Sequence, residues 1–215
     1  LGLVGSEMCI RDSLCGAKNH MIVMPDADLE QSTDAIIGAA YGSAGERCMA
    51  ISVVVVVGDE TADKLIESLK PKVTSLKIGA YDEPDVEMGP VISKQSQEKI
   101  LSYIESGINE GAELKVDGRS EVKKDGFYIG GCLFDKVTPS MPIYTDEIFG
   151  PVLSIVRVSN YDEALTLVND HEYGNGSCLF TRDGEAARYY SDHVKAGMVG
   201  INVPLPVPVS YPVSY

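Results

Sequence analysis

What this chain lacks narrows its reading first. Basic residues are few: 18 Lys and Arg face 32 Asp and Glu, a net charge of −14, and they form no block. That balance speaks against a nucleic-acid partner, because binding to phosphates needs clustered positive charge. No apolar run approaches the length that spans a bilayer, so no membrane partner is expected. The start, Leu1-Gly2-Leu3-Val4-Gly5, has neither the basic n-region nor the apolar stretch of a signal peptide. The five cysteines are an odd number, scattered, with no Cys-x-x-Cys pair. They offer neither a disulfide framework nor a zinc site, and they fit a reducing compartment, cytoplasmic or organelle-matrix. The three histidines are isolated, so no metal is expected. A Gly-x-Gly-x-x-Gly fingerprint is missing too, which leaves the chain without a dinucleotide signature of its own.

What is present is the composition of an ordinary globular domain, 44% hydrophobic and 23% charged over 215 residues, enough for one sizeable core. The middle alternates helices and strands. Asp28 is placed to cap a helix with an apolar stripe of Leu29, Ile36, Ile37 and Ala40 that ends at Gly42. Val53–Val57 is a continuous β-branched run closed by Gly58, the pattern of a strand covered on both faces. Asp59 is then expected to cap a helix through Ala62, Leu65, Ile66 and Leu69 that Pro71 is expected to stop. Ser93 opens another, with Ile100, Leu101, Ile104 and Ile108 on one side. Strands are predicted at 113–116, 131–137, 152–158, 177–180 and 199–203, and helices at 162–169 and 185–194. Such alternation implies an α/β layered domain with a largely parallel sheet, whose active site gathers in loops beyond the strand ends. The two ends do not share this pattern. Residues 1–13 read as a foreign leader and 14–207 as the domain. At 208–215, Pro-Val-Ser-Tyr occurs twice in succession, and reads as a tail.

Cys48 is the residue placed for chemistry. It follows Gly42-Ser43-Ala44-Gly45-Glu46-Arg47 and precedes the valine strand. A thiol on a flexible loop at a sheet edge, beside a cation, is placed as a nucleophile, since a neighbouring cation and backbone N–H groups both favour the thiolate. A small buried hydrophobe is the commoner role of cysteine and is assigned to the other four.

Three segments, in this order, resemble the aldehyde dehydrogenase superfamily. They are Gly16-Ala17-Lys18-Asn19-His20 leading to Val23-Met24-Pro25-Asp26-Ala27-Asp28-Leu29, then Gly45-Glu46-Arg47-Cys48, then Glu147-Ile148-Phe149-Gly150-Pro151-Val152, followed by Gly200-Ile201-Asn202. The match runs from Gly16 to Pro208 and looks most like the CoA-acylating branch that handles methylmalonate or malonate semialdehyde. The resemblance implies a three-layer catalytic domain, its parallel sheet flanked by helices. It implies that Cys48 attacks the aldehyde, that hydride passes to NAD, and that coenzyme A takes the acyl group. Glu147 matches the family glutamate that bonds the nicotinamide ribose, and Phe149 the aromatic beside that ring. Arg47 matches the arginine that holds the substrate carboxylate, a group suited to a guanidinium fork. Read without the family, Glu147 is a solvated carboxylate, Phe149 is core, and Arg47 is a surface cation balancing Glu46.

Two departures shape the expectation. Leu14 stands where hydrolytic members carry the glutamate that activates water, so a thiol acceptor is favoured over hydrolysis. Family enzymes are also far longer. This chain is expected to lack most of the NAD-binding domain, the asparagine that supplies a second oxyanion donor, and the C-terminal segment through which subunits of a homo-oligomer associate. Alone it should bind NAD poorly and turn over little. Two other readings stay open: a Cys–His hydrolase pairing Cys48 with His171 or His193, and a non-catalytic interaction fragment whose valine strand exposes apolar surface.

Overall fold

The computed structural model describes residues 16–122 and 126–204. The leader, the repeated tail, Leu14, Cys9 and Cys15 lie outside the described residues.

Chain order is β1 (Asn19–Val23), α1 (Leu29–Tyr41), β2 (Ile51–Val57), α2 (Asp59–Thr74), α3 (Lys94–Asn109), β3 (Glu113–Val116), β4 (Cys132–Asp135), α4 (Pro142–Thr145), β5 (Val152–Val158), α5 (Tyr161–Asn169), β6 (Gly176–Phe180), α6 (Gly184–His193) and β7 (Met198–Ile201). The strands form one seven-stranded sheet in the order β3-β4-β5-β2-β1-β6-β7. Every neighbouring pair is parallel except β3 and β4. The sheet flanked by helices is the α/β architecture that the alternating pattern implies.

Capping chemistry starts several helices. The Asp28 carboxylate accepts from the Gln31 N–H at 3.1 Å, the Ser93 hydroxyl from Ser96 at 3.1 Å, and the Asn160 amide oxygen from Glu163 at 2.9 Å. Val53 to Val57 are all buried, because β2 lies between β5 and β1 while α1, α2 and α5 pack against it. The valine strand therefore exposes no apolar surface, contrary to the interaction-fragment reading.

Several boundaries differ from expectation, among them the last strand, which ends at Ile201 and not at 203. Pro71 does not stop α2, which runs on to Thr74. Pro71 sits in the last turn, where only one ladder donor is lost; that donor's carbonyl belongs to exposed Glu67, and buried Leu69 and Val73 hold the turn on the core. Asp59 is the first helical residue, and Gly58 takes the capping position. The strand expected at 131–137 is shorter, since Lys136 turns the chain at φ 55°. β1 is absent from the strands the pattern predicts, although it lies in the middle of the sheet and all five of its residues are buried.

Candidate active site

Cys48 sits where the chain enters β2 from its amino end. The loop before it is strained. Ser43 and Ala44 both adopt φ 54°, and Gly45 follows at φ 69°. Left-handed backbone costs a non-glycine residue about 1–2 kcal/mol, so neighbours have to impose it. The Ser43 carbonyl accepts from the Glu46 N–H at 3.0 Å. The Glu46 carboxylate accepts from the Ile92 N–H at 3.0 and 3.1 Å, and partial burial raises its pKa against that hydrogen bond. Gly45 is required: a Cβ there would lie 2.3 Å from the Gly150 carbonyl oxygen. This close approach seats the Cys48 loop on the loop that enters β5.

The turn is closed by the Ala50 N–H donating to the Arg47 carbonyl at 3.1 Å. Cys48 is exposed, whereas Cys132 and Cys178 are buried. Among the described residues, the Cys48 N–H has no hydrogen-bond partner. Its carbonyl oxygen accepts from Asn19 Nδ2 at 3.0 Å and from Asn175 Nδ2 at 2.9 Å. Arg47 is turned back on its own loop. Its Nε donates to Ser43 Oγ at 3.0 Å, and its guanidinium lies over Gly42. Arg47 forms no ion pair among the described residues, so it does not balance Glu46.

Glu147 and Phe149 stand on the neighbouring loop. Glu147 is half-buried, and its Oε1 accepts from the Ala17 N–H at 3.1 Å. Phe149 adopts φ 58° and remains 41% exposed, so it is not core. An aromatic held outward in a left-handed conformation is the kind of strain that collects at functional sites. Beneath this loop runs Lys18, only 2% exposed. Its Nζ donates to the carbonyls of Ile143 at 2.8 Å and Asp146 at 2.7 Å. Burial pushes its pKa down to about 7, against the pull of Asp146 and Glu147. Lys99 Nζ donates to the Glu147 carbonyl at 3.0 Å. Two lysines therefore pin the loop that presents Glu147 and Phe149.

Neither histidine of the hydrolase reading is placed beside Cys48. His171 Nδ1 accepts from the Tyr173 N–H at 3.1 Å, which leaves Nε2 as the donor facing the Tyr144 carbonyl at 3.3 Å. Burial lowers its pKa. His193 stacks on Tyr189 with ring centroids 3.9 Å apart, and its Nδ1 faces the Tyr189 carbonyl at 2.8 Å. A cavity of about 480 Å³ lies beside α5, lined by Tyr144, Glu163, Leu167, Asp170 and His171 among others, and Cys48 is not part of it.

The model of the Aldehyde dehydrogenase family matches residues 11–214 of the chain, a span that includes both the Cys48 loop and the Glu-x-Phe-Gly loop. The chain belongs to the aldehyde dehydrogenase family. The malonate-semialdehyde dehydrogenase of Pseudomonas aeruginosa is 58% identical over 202 residues, which are 93% of this chain and 41% of that protein. That of Bacillus subtilis (strain 168) is 49% identical over 208 residues, 96% of this chain and 42% of its own length. The methylmalonate-semialdehyde dehydrogenase structure from Oceanimonas doudoroffii aligns with TM-score 0.88 at 54% identity, covering 91% of this chain and 41% of that one. The betaine aldehyde dehydrogenase of Staphylococcus aureus, solved with NAD+, aligns with TM-score 0.85 at 34% identity, covering 89% of this chain and 39% of that one. This chain thus spans about two fifths of the length of the relatives it matches.

The aldehyde dehydrogenase fold brings four predicted residues, Arg47, Cys48, Glu147 and Phe149, onto two loops in contact through Gly45 and Gly150. Sequence reasoning did not single out Lys18, Asn19 and Asn175 as site residues. The first two stand inside the Gly-Ala-Lys-Asn-His run, and polar residues leading straight into an apolar strand were a usable signal. Asn175 lies between Gly174 and Gly176, a setting that marks a turn and carries no signal of chemistry.

Proposed function

We propose that this chain is the catalytic portion of an NAD-dependent, CoA-acylating dehydrogenase acting on malonate or methylmalonate semialdehyde. The observation that carries the reading is the exposed Cys48 sulfur beside its own unpartnered N–H. The thiolate adds to the aldehyde carbon, and the former carbonyl oxygen becomes an alkoxide within reach of that N–H. Collapse of the alkoxide expels hydride and leaves a thioester on Cys48. NAD, when bound, supplies the hydride acceptor. The residues present fit it: Glu147 has one carboxylate oxygen held by Ala17, leaving the other for a ribose hydroxyl, and the outward Phe149 ring offers a face to the nicotinamide. The coenzyme A thiolate then attacks the thioester carbon and expels the Cys48 thiolate. The substrate carboxylate leaves as carbon dioxide, and the carbon that held it takes a proton, giving acetyl-CoA or propionyl-CoA. Arg47, exposed and without an ion pair among the described residues, is assigned to that carboxylate before it departs. Leu14, where hydrolytic relatives are expected to carry a base, favours transfer to a thiol over hydrolysis.

The relatives' names support the substrate class, and the NAD+ complex of the betaine enzyme supports the cofactor. Because the chain spans about two fifths of those proteins, we assign turnover to a full-length, homo-oligomeric enzyme and only weak NAD binding to these 215 residues. The test is Cys48→Ser in the full-length protein. Acyl transfer to coenzyme A should vanish while NAD affinity is kept, and mass spectrometry of the unaltered enzyme during turnover should find the acyl adduct on Cys48. Activity that survives the substitution removes Cys48 from the mechanism. Arg47→Ala should impair carboxylated aldehydes far more than plain ones, and equal losses would refute carboxylate capture.

A further inference from the structure

We propose that Asn19 and Asn175 are positioning residues that hold the Cys48 turn by its main chain, through two side-chain amides converging on the Cys48 carbonyl oxygen. Resting on the assignment of Cys48 as the nucleophile, the proposal concerns how that nucleophile is aimed.

The clamp originates in an irregularity of the sheet. Asn19 pairs with Ile51, but His20 pairs with Val53, so the β1–β2 register skips Ser52. A bulge of this kind bends its strand and interrupts the ladder. The Cys48 and Ala50 carbonyls lie just before β2 begins at Ile51 and have no backbone partner among the described residues, and Asn19 supplies one from its side chain. Its Nδ2 donates to Cys48 at 3.0 Å and to Ala50 at 2.8 Å, which uses both amide hydrogens. Asn175, leading into β6 on the other side of β1, donates to the same Cys48 oxygen at 2.9 Å and touches Met49 Sδ at 3.3 Å. Both lone pairs of one carbonyl are thus occupied, one from β1 and one from the residue that leads into β6.

Asn19 takes this post at a cost. It is 1% exposed, and its Oδ1 is buried without a hydrogen-bond partner among the described residues. A buried polar atom left unsatisfied is uncommon enough to need a reason. Here the reason is the pair of bonds made by the other half of the same amide. With the Cys48 carbonyl held, the backbone torsion that aims the sulfur and its N–H is held as well. Chemistry that needs sulfur and N–H to meet one carbonyl group together depends on that aim, whereas simple displacement at sulfur does not.

Two reagents separate these demands on the 215-residue chain without NAD. With p-nitrophenyl acetate, the Cys48 thiolate adds to the ester carbon, the oxyanion forms beside the Cys48 N–H, and collapse expels p-nitrophenolate, leaving an acetyl thioester. With iodoacetamide, the thiolate displaces iodide and no oxyanion forms. Asn175→Ala and the isosteric Asn175→Asp should each slow the p-nitrophenolate burst about tenfold. Both should leave the iodoacetamide rate at Cys48, read by peptide mass spectrometry, within about twofold, because displacement lacks the oriented oxyanion. The thermal midpoint should not move. A burst unchanged in Asn175→Ala, an Asn175→Asp variant that behaves as the parent, or equal losses with both reagents would each overturn the clamp. Asn19→Ala should show a larger loss of the same kind, but removing a buried amide also threatens folding, so the test rests on the Asn175 variants. Cys48→Ala separates the two claims. A burst that survives it, or no burst in the unaltered chain, overturns the nucleophile assignment; a burst that Cys48→Ala abolishes but the Asn175 variants leave intact overturns the clamp alone.

Discussion

The two edges of the sheet are built on opposite principles. At the carboxyl edge, polar groups are paired with one another. Arg157 Nε and Nη2 grip both oxygens of the fully buried Asp135 at 2.9 and 2.8 Å, and its guanidinium reaches Asp59 at 3.2 Å and Asp63 at 2.8 Å. Burial alone would push Asp135 up, but Arg157 and the Lys136 N–H outweigh it and hold the carboxyl below its usual range. Asp26 likewise accepts from Thr181 Oγ1 at 2.9 Å and from the Arg182 N–H at 2.8 Å, while the Asn202 amide clasps both main-chain groups of Thr181. The amino edge carries instead an exposed thiol, an outward phenylalanine and, among the described residues, an unsatisfied buried amide oxygen; left-handed residues occur at both edges, Ser43, Ala44 and Phe149 at this one and Lys136 and Asn202 at the other. Open α/β sheets commonly bind ligands beyond their carboxyl ends. Here that edge is closed by its own charges, and the reactive groups stand at the other. Strand direction alone does not locate the candidate site; the distribution of exposed and unpaired groups points to it.

Four substitutions test this contrast. Arg157→Ala at the carboxyl edge should have the largest effect on stability, about 3 kcal/mol, because it leaves a buried carboxylate with the Lys136 N–H and, among the described residues, Lys115 as its one cation. Urea unfolding should register it while the iodoacetamide rate at Cys48 stays as it was; a large change in that rate would mean the edges are coupled. Gly45→Ala should cost about 2 kcal/mol through its positive φ. Its Cβ would also part the two active-site loops, so the p-nitrophenolate burst should fall by more than the stability loss explains. Equal proportions would remove Gly45 from the site.

Lys18 ties the amino edge to pH. Its folded pKa, about 7, lies below the 10.5 of the free side chain. Between those values the unfolded chain holds a proton that the folded chain has released, so stability contributed by this group rises with pH. Relative to Lys18→Met, the unaltered chain should gain at most about 1.4 kcal/mol per pH unit above pH 7 and nothing below it. Urea midpoints at pH 6, 7.5 and 9 would show it, and a falling difference would contradict it. Phe149→Gly should give the smallest change, a gain of about 0.5 kcal/mol, as relief of the left-handed backbone exceeds the entropy of the added glycine. A loss instead would mean that the ring packs within this chain.

Much of the fold was legible where one local rule governed. Asp28 and Ser93 start helices because a short polar side chain can reach the N–H groups of the first turn from there. The valine run could only be a covered strand. β1 escaped notice because Asn19 and His20 shorten its apolar run to Met21-Ile22-Val23, too few residues to separate strand from helix. Pro71 misled because the rule against helical proline weakens in a last turn whose open carbonyl meets water. At the site, the Gly-rich loop and the Glu-x-Phe-Gly run were visible as motifs. The partnership of Asn19 with Asn175 was not, since it exists only where β1 and β6 lie side by side.

From the sequence alone came the element types other than β1, the acidic and unclustered charge, the family resemblance and the choice of Cys48 as the candidate among five cysteines, all of which depend on residues close together along the chain. Tertiary structure decided the order of strands, the edge at which the thiol emerges, the turning of Arg47 toward Ser43, and the meeting of two asparagines on one carbonyl. Apart from the local Arg47–Ser43 contact, those outcomes rest on segments separated along the chain, by 29 residues from Asn19 to Cys48 and 127 from Cys48 to Asn175, and only the packed sheet brings such segments within hydrogen-bond range.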